Sequence, residues 1–170
     1  MKKTVYLSFL VAVGIVFQIL ESFLSVVWII PGFKIGFANV VGIFSLYVWG
    51  PKEMCIVTLL RIFLASLMQG TLFSVSFWLS LSGGIFSMAI MTLAYKTKKF
   101  SIYGVSIAGA CFHNIGQVIA VCIIYQQFFM QLFLPFLLAL SNVSGICIGY
   151  LSLQIIKRVK GRIQNVNLSI

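Results

Sequence analysis

The feature that most constrains this chain is a succession of six apolar runs separated by short polar or glycine-rich connectors. An α-helix needs about 20 apolar residues to cross a bilayer, and 61% of the 170 residues are hydrophobic whereas only 8% are charged. That composition excludes a soluble globular domain, in which about a quarter of the residues are charged. The runs predict an all-α polytopic membrane protein, a bundle of six transmembrane helices at about 4–25, 37–49, 54–68, 73–95, 103–125 and 129–156.

Two of the runs depart from an ordinary span. The first resembles a secretory signal, but it meets Gln18 and Glu21 where a cleavage site would need small residues, so it is interpreted as an uncleaved helix. The second, residues 37–49, is short for a full crossing. We expect it to be tilted, extended into its loop, or shielded from lipid by neighbouring helices.

The basic residues predict the orientation of the bundle. If the amino terminus is cytoplasmic, ten of the twelve Lys and Arg residues fall on the cytoplasmic side, as the positive-inside rule requires. The two exceptions are Lys34, in the first outer loop, and Arg61, within the third span. We therefore expect one membrane domain, residues 1–156, in the cell membrane, with both termini inside and a basic cytoplasmic tail at 157–170.

The scarcity of acidic residues excludes several kinds of site. The chain has two Glu and no Asp, so it cannot provide a site that needs paired carboxylates or a carboxylate cage around a metal ion. Its four cysteines form no CxxC pair, and no GKS or GKT phosphate loop occurs. The sequence predicts no catalytic residue, no metal site and no cofactor, and the chain is not expected to be an enzyme.

Arg61 is the charged residue that is hardest to accommodate in a span. A charge near the bilayer centre costs roughly 2.5–3.5 kcal/mol on insertion scales. The side chain could extend to the cytoplasmic face, which is about 10 Å away along the helix, or pair with Glu21 or Glu53. Alternatively, it could bind an anion inside the bundle.

Amide and imidazole side chains within the spans predict a polar pocket. Asn114 and Gln117 are three residues apart, so they lie on one side of the fifth helix, and His113 is beside them. One or two such groups could simply join helices, but three suggest the lining of a cavity. The predicted substrate-binding residues, with the two basic ones, are Lys34, Asn39, Arg61, Gln69, His113, Asn114 and Gln117.

Two further features have a structural as well as a functional interpretation. Lys34 is either a solvated loop lysine or an attractive charge for an anionic ligand that arrives from outside. Ser80, Ser82, Gly83 and Gly84 favour close helix packing, although their hydroxyl groups could also serve a ligand. The outer position of Asn39 and Gln69 predicts a pocket that opens outward.

Several stretches resemble the Gx transporter family, whose members are often described as heptaprenyl diphosphate synthase component I. The resemblance covers about residues 5–156, and it depends on Lys34–Gly42, Tyr47–Glu53, Arg61–Gly70, Leu81–Gly84 and His113–Gln117. This family is grouped with the substrate-binding S components of energy-coupling factor (ECF) transporters. The resemblance implies a six-helix protein of S-component type that takes up a vitamin-like nutrient, together with a transmembrane T subunit and two ATPase subunits.

The resemblance also implies two interaction regions. S components commonly dock on the T subunit through an Ala-x-x-x-Ala pattern in the first helix, and the matching positions here are Ser8 and Ala12. In S components the loop between the first two helices gates the pocket, and Lys34 lies in the corresponding loop. Because this chain has no phosphate loop, any ATP hydrolysis must come from the partners.

Three functions remain open at this point. The first is an S component that captures a small anionic or zwitterionic nutrient, and it is our preferred hypothesis. The second is a non-catalytic membrane accessory subunit of a polyprenyl (heptaprenyl) diphosphate synthase. The third is an assembly protein without a ligand, in which the intramembrane amides could be replaced without loss. Co-purifying partners would distinguish the first two.

Overall fold

The computed structural model describes residues 2–25, 36–126 and 128–167, and in these ranges it contains helices and no strand. A 3₁₀ helix, Phe128–Phe133, precedes the last α-helix. The α-helices are α1 Lys2–Ser25, α2 Asn39–Val48, α3 Pro51–Met68, α4 Val75–Thr97, α5 Ile102–Tyr125 and α6 Leu134–Asn167. The all-α prediction is confirmed, and each predicted span corresponds to one of these helices.

Within the described ranges, four helical segments are long and apolar enough to cross a membrane: Lys3–Phe23, Val75–Thr97, Ile102–Tyr125 and Gln131–Val159. The ten residues of α2 rise about 15 Å, half of a hydrocarbon core about 30 Å thick. α3 has 18 residues but includes Lys52, Glu53 and Arg61. The structure therefore supports a polytopic helical membrane protein whose two remaining helices are short or partly polar.

The short helix α2 is surrounded by the rest of the bundle. It contacts α1, α3, α4, α5 and α6, and every residue from Asn39 to Leu46 is buried. Neighbouring helices thus shield its backbone, which explains how an element of half the usual length is stable in an apolar environment.

Glycines allow α4, α5 and α6 to approach one another closely. A Cβ atom on Gly116 of α5 would lie 2.8 Å from the carbonyl oxygen of Ser82 in α4. A Cβ atom on Gly145 of α6 would lie 2.7 Å from the Cα atom of Ile107 in α5. Close backbone packing of this kind favours helix association in lipid. Transfer of apolar side chains from lipid to a helix interface contributes little free energy, because both surroundings are apolar.

Helix α1 is attached to one side of the bundle. Its contacts are with α2 and α3, and its outer face exposes large apolar side chains such as Val5, Phe9 and Phe23. In the first turn of α1, Lys3 Nζ donates to Glu53 Oε1 at 2.5 Å. Ser8 and Ala12, the predicted docking residues, are exposed on this helix.

Two helix boundaries differ from the sequence prediction. Pro51, expected to belong to the polar break, is the first residue of α3, a position where the missing N–H has no helical partner to lose. α6 continues through Lys157 and Arg158 to Asn167 instead of ending at residue 156. Lys, Arg and Gln have high helix propensity, so the basic tail extends the helix that precedes it.

Candidate functional site

The candidate site is a polar cleft near the start of α2. The space between the described residues there amounts to about 250 Å³, a figure that includes the open solvent at its mouth. Five helices contribute to its wall: Gln18 and Glu21 from α1, Asn39 from α2, Arg61 and Ile62 from α3, Ser80 from α4 and His113 from α5, with Gly36 and Ala38 before α2.

Arg61 extends into this cleft and is only 3% exposed. Its Nη2 atom donates to Asn39 Oδ1 at 3.3 Å, whereas Nε and Nη1 are buried and have no hydrogen-bond partner among the described residues. The stem of the side chain crosses α1 at Gly14, where a Cβ atom would lie 2.9 Å from Arg61 Cδ. Of the alternatives weighed from the sequence, extension to the membrane surface does not describe this side chain.

Glu21 anchors the backbone at the start of α2. Its Oε1 atom accepts hydrogen bonds from the backbone N–H of Gly36 and, at 3.2 Å, from that of Phe37. A negative group suits this position because the N-terminal end of a helix is partially positive. Gly36 has a φ of +91°, a conformation that favours glycine. The carboxylate is also near enough to Arg61 for their charges to interact.

His113 closes the cleft from α5. Its Nε2 atom lies 3.0 Å from Nε2 of Gln117, the next residue on the same face of the helix. With the amide nitrogen as the donor, the imidazole Nε2 accepts, and a neutral ring then has its proton on Nδ1. The ring lies against Gly83 of α4, where a Cβ atom would come within 2.9 Å of Cε1 and Nδ1.

The structure brings together only part of the predicted site. Asn39, Arg61 and His113 line the cleft, and Gln117 is fully buried behind His113. Asn114 instead joins α5 to α6, since its Nδ2 atom donates to Ser141 Oγ at 2.5 Å and to Leu137 O at 3.4 Å. Gln69 caps the end of α3, outside the cleft, and Lys34 lies outside the described residues.

Three polar wall residues, Gln18, Glu21 and Ser80, were not among the predicted ones. Ser80 was interpreted as a packing residue, and its hydroxyl donates to Ser76 O at 2.8 Å while it borders the cleft. Gln18 and Glu21 are three residues apart in an apolar run, a spacing that puts both on one face of α1. The high cost of an amide and a carboxylate in a span was the signal that could have identified them.

Comparison with known protein families adds an independent finding. The family described as heptaprenyl diphosphate synthase component I has a model that matches residues 10–155, a range that contains every wall residue of the cleft. The chain belongs to this family. No curated protein and no solved structure matched it.

The heptaprenyl diphosphate synthase component I match agrees with the description attached to the resemblance noted from the sequence. It names a component of a synthase, and it does not extend to the S components of ECF transporters. Three findings therefore bear on the function: the family name, the membrane helices and the cleft.

The cleft of this component I protein has more hydrogen-bond donors than partners for them. Gln18 Nε2, Asn39 Nδ2, Arg61 Nε and Arg61 Nη1 are buried and have no partner within the described ranges. Those ranges contain no group of three or more His, Cys, Asp or Glu residues that could hold a metal ion. The arrangement is suited to holding a molecule that accepts hydrogen bonds.

Proposed function

We propose that this protein is a membrane-embedded binding subunit that captures a small molecule in the cleft, as an S component of an ECF-type transporter does. The observation that carries this proposal is that three residues lining one cleft, each from a different helix, have buried N–H groups without partners within the described ranges. A buried donor left without a partner costs about 1–3 kcal/mol. A bound molecule that supplied the acceptors would remove this cost.

Transport by this protein would require partner subunits that supply energy. The sequence has no phosphate loop, so energy for release would come from two ATPase subunits acting through a T subunit. The exposed face of α1 that includes Ser8 and Ala12 is available for the T subunit. In this proposal the chain itself catalyses no reaction and acts in the bacterial cytoplasmic membrane as a carrier of a vitamin-like nutrient.

The family name favours a second candidate function. A protein described as component I of heptaprenyl diphosphate synthase would work with a second component, and the absence of Asp from this chain assigns the magnesium-dependent chemistry to that second component. The chain would then be a non-catalytic accessory subunit that holds the prenyl diphosphate at the membrane. In this role the same cleft would bind the diphosphate group.

Native mass spectrometry of the protein, extracted from its own membrane, tests the capture function. We expect a small molecule of defined mass on the wild-type protein and on a Gln69→Leu control, because Gln69 is outside the cleft. The Asn39→Leu and His113→Leu variants should lose it. A protein that is empty in every preparation, or that retains the molecule in both cleft variants, would contradict the proposal.

Partners recovered in the same extraction distinguish the two candidates. Two ATPases and a T subunit indicate the transporter, whereas a soluble prenyl synthase subunit indicates the accessory role. An Ala12→Leu variant adds a control, because a bulky side chain on the exposed face of α1 should weaken T-subunit recovery and leave the small molecule bound.

A further inference from the structure

The four buried nitrogen atoms without partners share one chemical property, since each can only donate. They belong to Gln18, Asn39 and Arg61, which are 3%, 4% and 3% exposed, and all three side chains line the cleft. An amide nitrogen carries two N–H groups and a guanidinium carries five. A ligand that satisfied them would have to present several lone pairs in a small volume.

The positive charge of Arg61 further restricts the chemical class of the ligand. Its one hydrogen bond within the described ranges is to a neutral oxygen, Asn39 Oδ1. Glu21 is near, but its carboxylate accepts from the backbone of Gly36 and Phe37, so part of its charge compensates the start of α2. The guanidinium therefore retains the capacity to bind a second anion, and a buried charge binds such an anion more strongly than an exposed one.

From these contacts we propose that the cleft holds its ligand by an oxyanion, a carboxylate or a phosphate, which accepts hydrogen bonds from Arg61, Gln18 and Asn39. This inference rests on the proposed capture function and specifies the chemical class of the ligand. A carboxylate or phosphate has several lone pairs on adjacent oxygens, and charge-assisted bonds to Arg are about twice as strong as neutral ones. A neutral carbonyl would add nothing to the partial compensation that Glu21 gives the charge of Arg61.

The position of Gln18 gives α1 a direct part in binding. Gln18 lies one turn from Glu21 on the same helix face, and Glu21 ties that face to the start of α2. Gly14, one further turn away, admits the stem of Arg61. The oxyanion would thus be held between α1, α2 and α3, three helices that pack against one another.

The test is a thermal unfolding series on the full chain in detergent, with four probes. Sodium phosphate, sodium diphosphate, sodium citrate and farnesyl diphosphate are each compared with sodium chloride of equal ionic strength. A ligand at 100 times its Kd stabilises the folded state by an amount that raises the midpoint of a protein of this size by about 5–10 °C. We expect at least one probe to raise the wild-type midpoint clearly.

Variants show whether the effect comes from the cleft. Arg61→Gln and Gln18→Leu should reduce the apparent affinity for that probe by about tenfold or more, whereas Arg158→Gln removes an exposed arginine on α6 and should change nothing. If Arg61→Gln fails to fold, Gln18→Leu still decides, because it removes the donor and keeps a similar volume. A midpoint that no probe raises, or a rise that both cleft variants retain, would overturn the inference.

The choice of probes also separates the sources of the oxyanion. If farnesyl diphosphate raises the unfolding midpoint at a much lower concentration than inorganic diphosphate does, the ligand is a prenyl compound and the accessory role is favoured. An effect of citrate or phosphate without a preference for the prenyl chain indicates a soluble nutrient. If a neutral molecule is recovered by native mass spectrometry and lost in Asn39→Leu, the capture function stands and the oxyanion inference fails.

Discussion

At the level of single residues, two glycines decide where the charged and polar groups of the cleft lie. Gly14 leaves room on α1 for the stem of Arg61, and Gly83 leaves room on α4 for the ring of His113. A methyl group at Gly83 would lie 2.8 Å from the backbone oxygen of His113. Backbone atoms in a packed helix pair move only at a cost, so Gly83 fixes the distance between α4 and α5 at the site.

We therefore expect Gly83→Ala to destabilise the protein and to displace His113. Overpacking of this kind costs roughly 1–3 kcal/mol, more than the 0.5–1 kcal/mol that alanine gains over glycine in a helix. Gly42→Ala is the matched control, because its nearest neighbour would be 3.5 Å from the new atom, an ordinary contact. Thermal unfolding of both variants checks this, and an unchanged or raised midpoint for Gly83→Ala would show that the helices can separate freely.

Residue identity alone predicted some of the cleft and missed the rest for a physical reason. Asn39, Arg61 and His113 were predicted because polar groups are costly in apolar runs. Asn114 has the same cost, but its Nδ2 atom donates to Ser141 and Leu137 on α6 and not to a group in the cleft. Which neighbour satisfies a buried amide depends on helix rotation and packing, and a single sequence does not specify either.

At the level of elements, α1 is the helix with the fewest partners, and its attachment depends on polar contacts at both ends. Glu21 ties its second half to the start of α2, and the Lys3–Glu53 ion pair ties its first turn to α3. Between them, Val11, Val41 and Val57 form a small apolar cluster that joins α1, α2 and α3. Elements with little buried contact open at lower free energy than the core, so α1 is expected to separate first from the bundle.

The Lys3–Glu53 pair should make the attachment of α1 dependent on pH. The hydrogen bond from Lys3 lowers the pKa of Glu53 below its ordinary value. A carboxyl group whose pKa is lowered on folding contributes stability above its unfolded pKa, about 4.3, and loses that contribution as the pH falls through the folded value. Glu53→Gln should therefore lower the unfolding midpoint by about 1–2 °C at pH 7, and this difference should shrink as the pH falls below about 4.3.

Lys96→Gln, which removes a basic residue from the last turn of α4, is the control for this pH series. Added salt should weaken the effect of Glu53→Gln, because the pair is partly exposed. A gap between wild type and Glu53→Gln that is the same at pH 7 and pH 3.5 would mean that the ion pair does not hold α1.

The order and type of the helices followed from hydrophobic run length, whereas only some of their boundaries did. The long runs that became α1, α4 and α5 were predicted to within a few residues because their ends are marked by polar residues or turns. The sequence prediction ended the last span at residue 156, where hydropathy falls, but α6 continues because its basic residues favour a helix in water as well. Hydropathy measures preference for lipid, and helix propensity operates on both sides of the interface.

At the level of the whole molecule, the basic residues predict which connections face the cytoplasm. The connection between α4 and α5 contains Lys98 and Lys99, and the connection between α3 and α4 contains Thr71 and no basic residue. In a variant without native cysteines, Thr71→Cys should react with an impermeant thiol reagent in intact cells. Lys98→Cys should react only after the membrane is opened, and labelling of both positions from one side would contradict the predicted topology.

The ten residues of α2 have a consequence for how the chain enters the membrane during synthesis. A helix of half the bilayer thickness cannot remain alone in lipid, because its backbone ends would be exposed there. Gly50 and Pro51 join it directly to α3, so the two would leave the insertion machinery together as one hairpin. The partner that completes the burial of α2 is α6, which is made after the other described α-helices and whose Ser152 Oγ donates to Val40 O at 3.5 Å. The burial of α2 is therefore incomplete until α6 has been made, although the helices that line the cleft precede α6 in the chain.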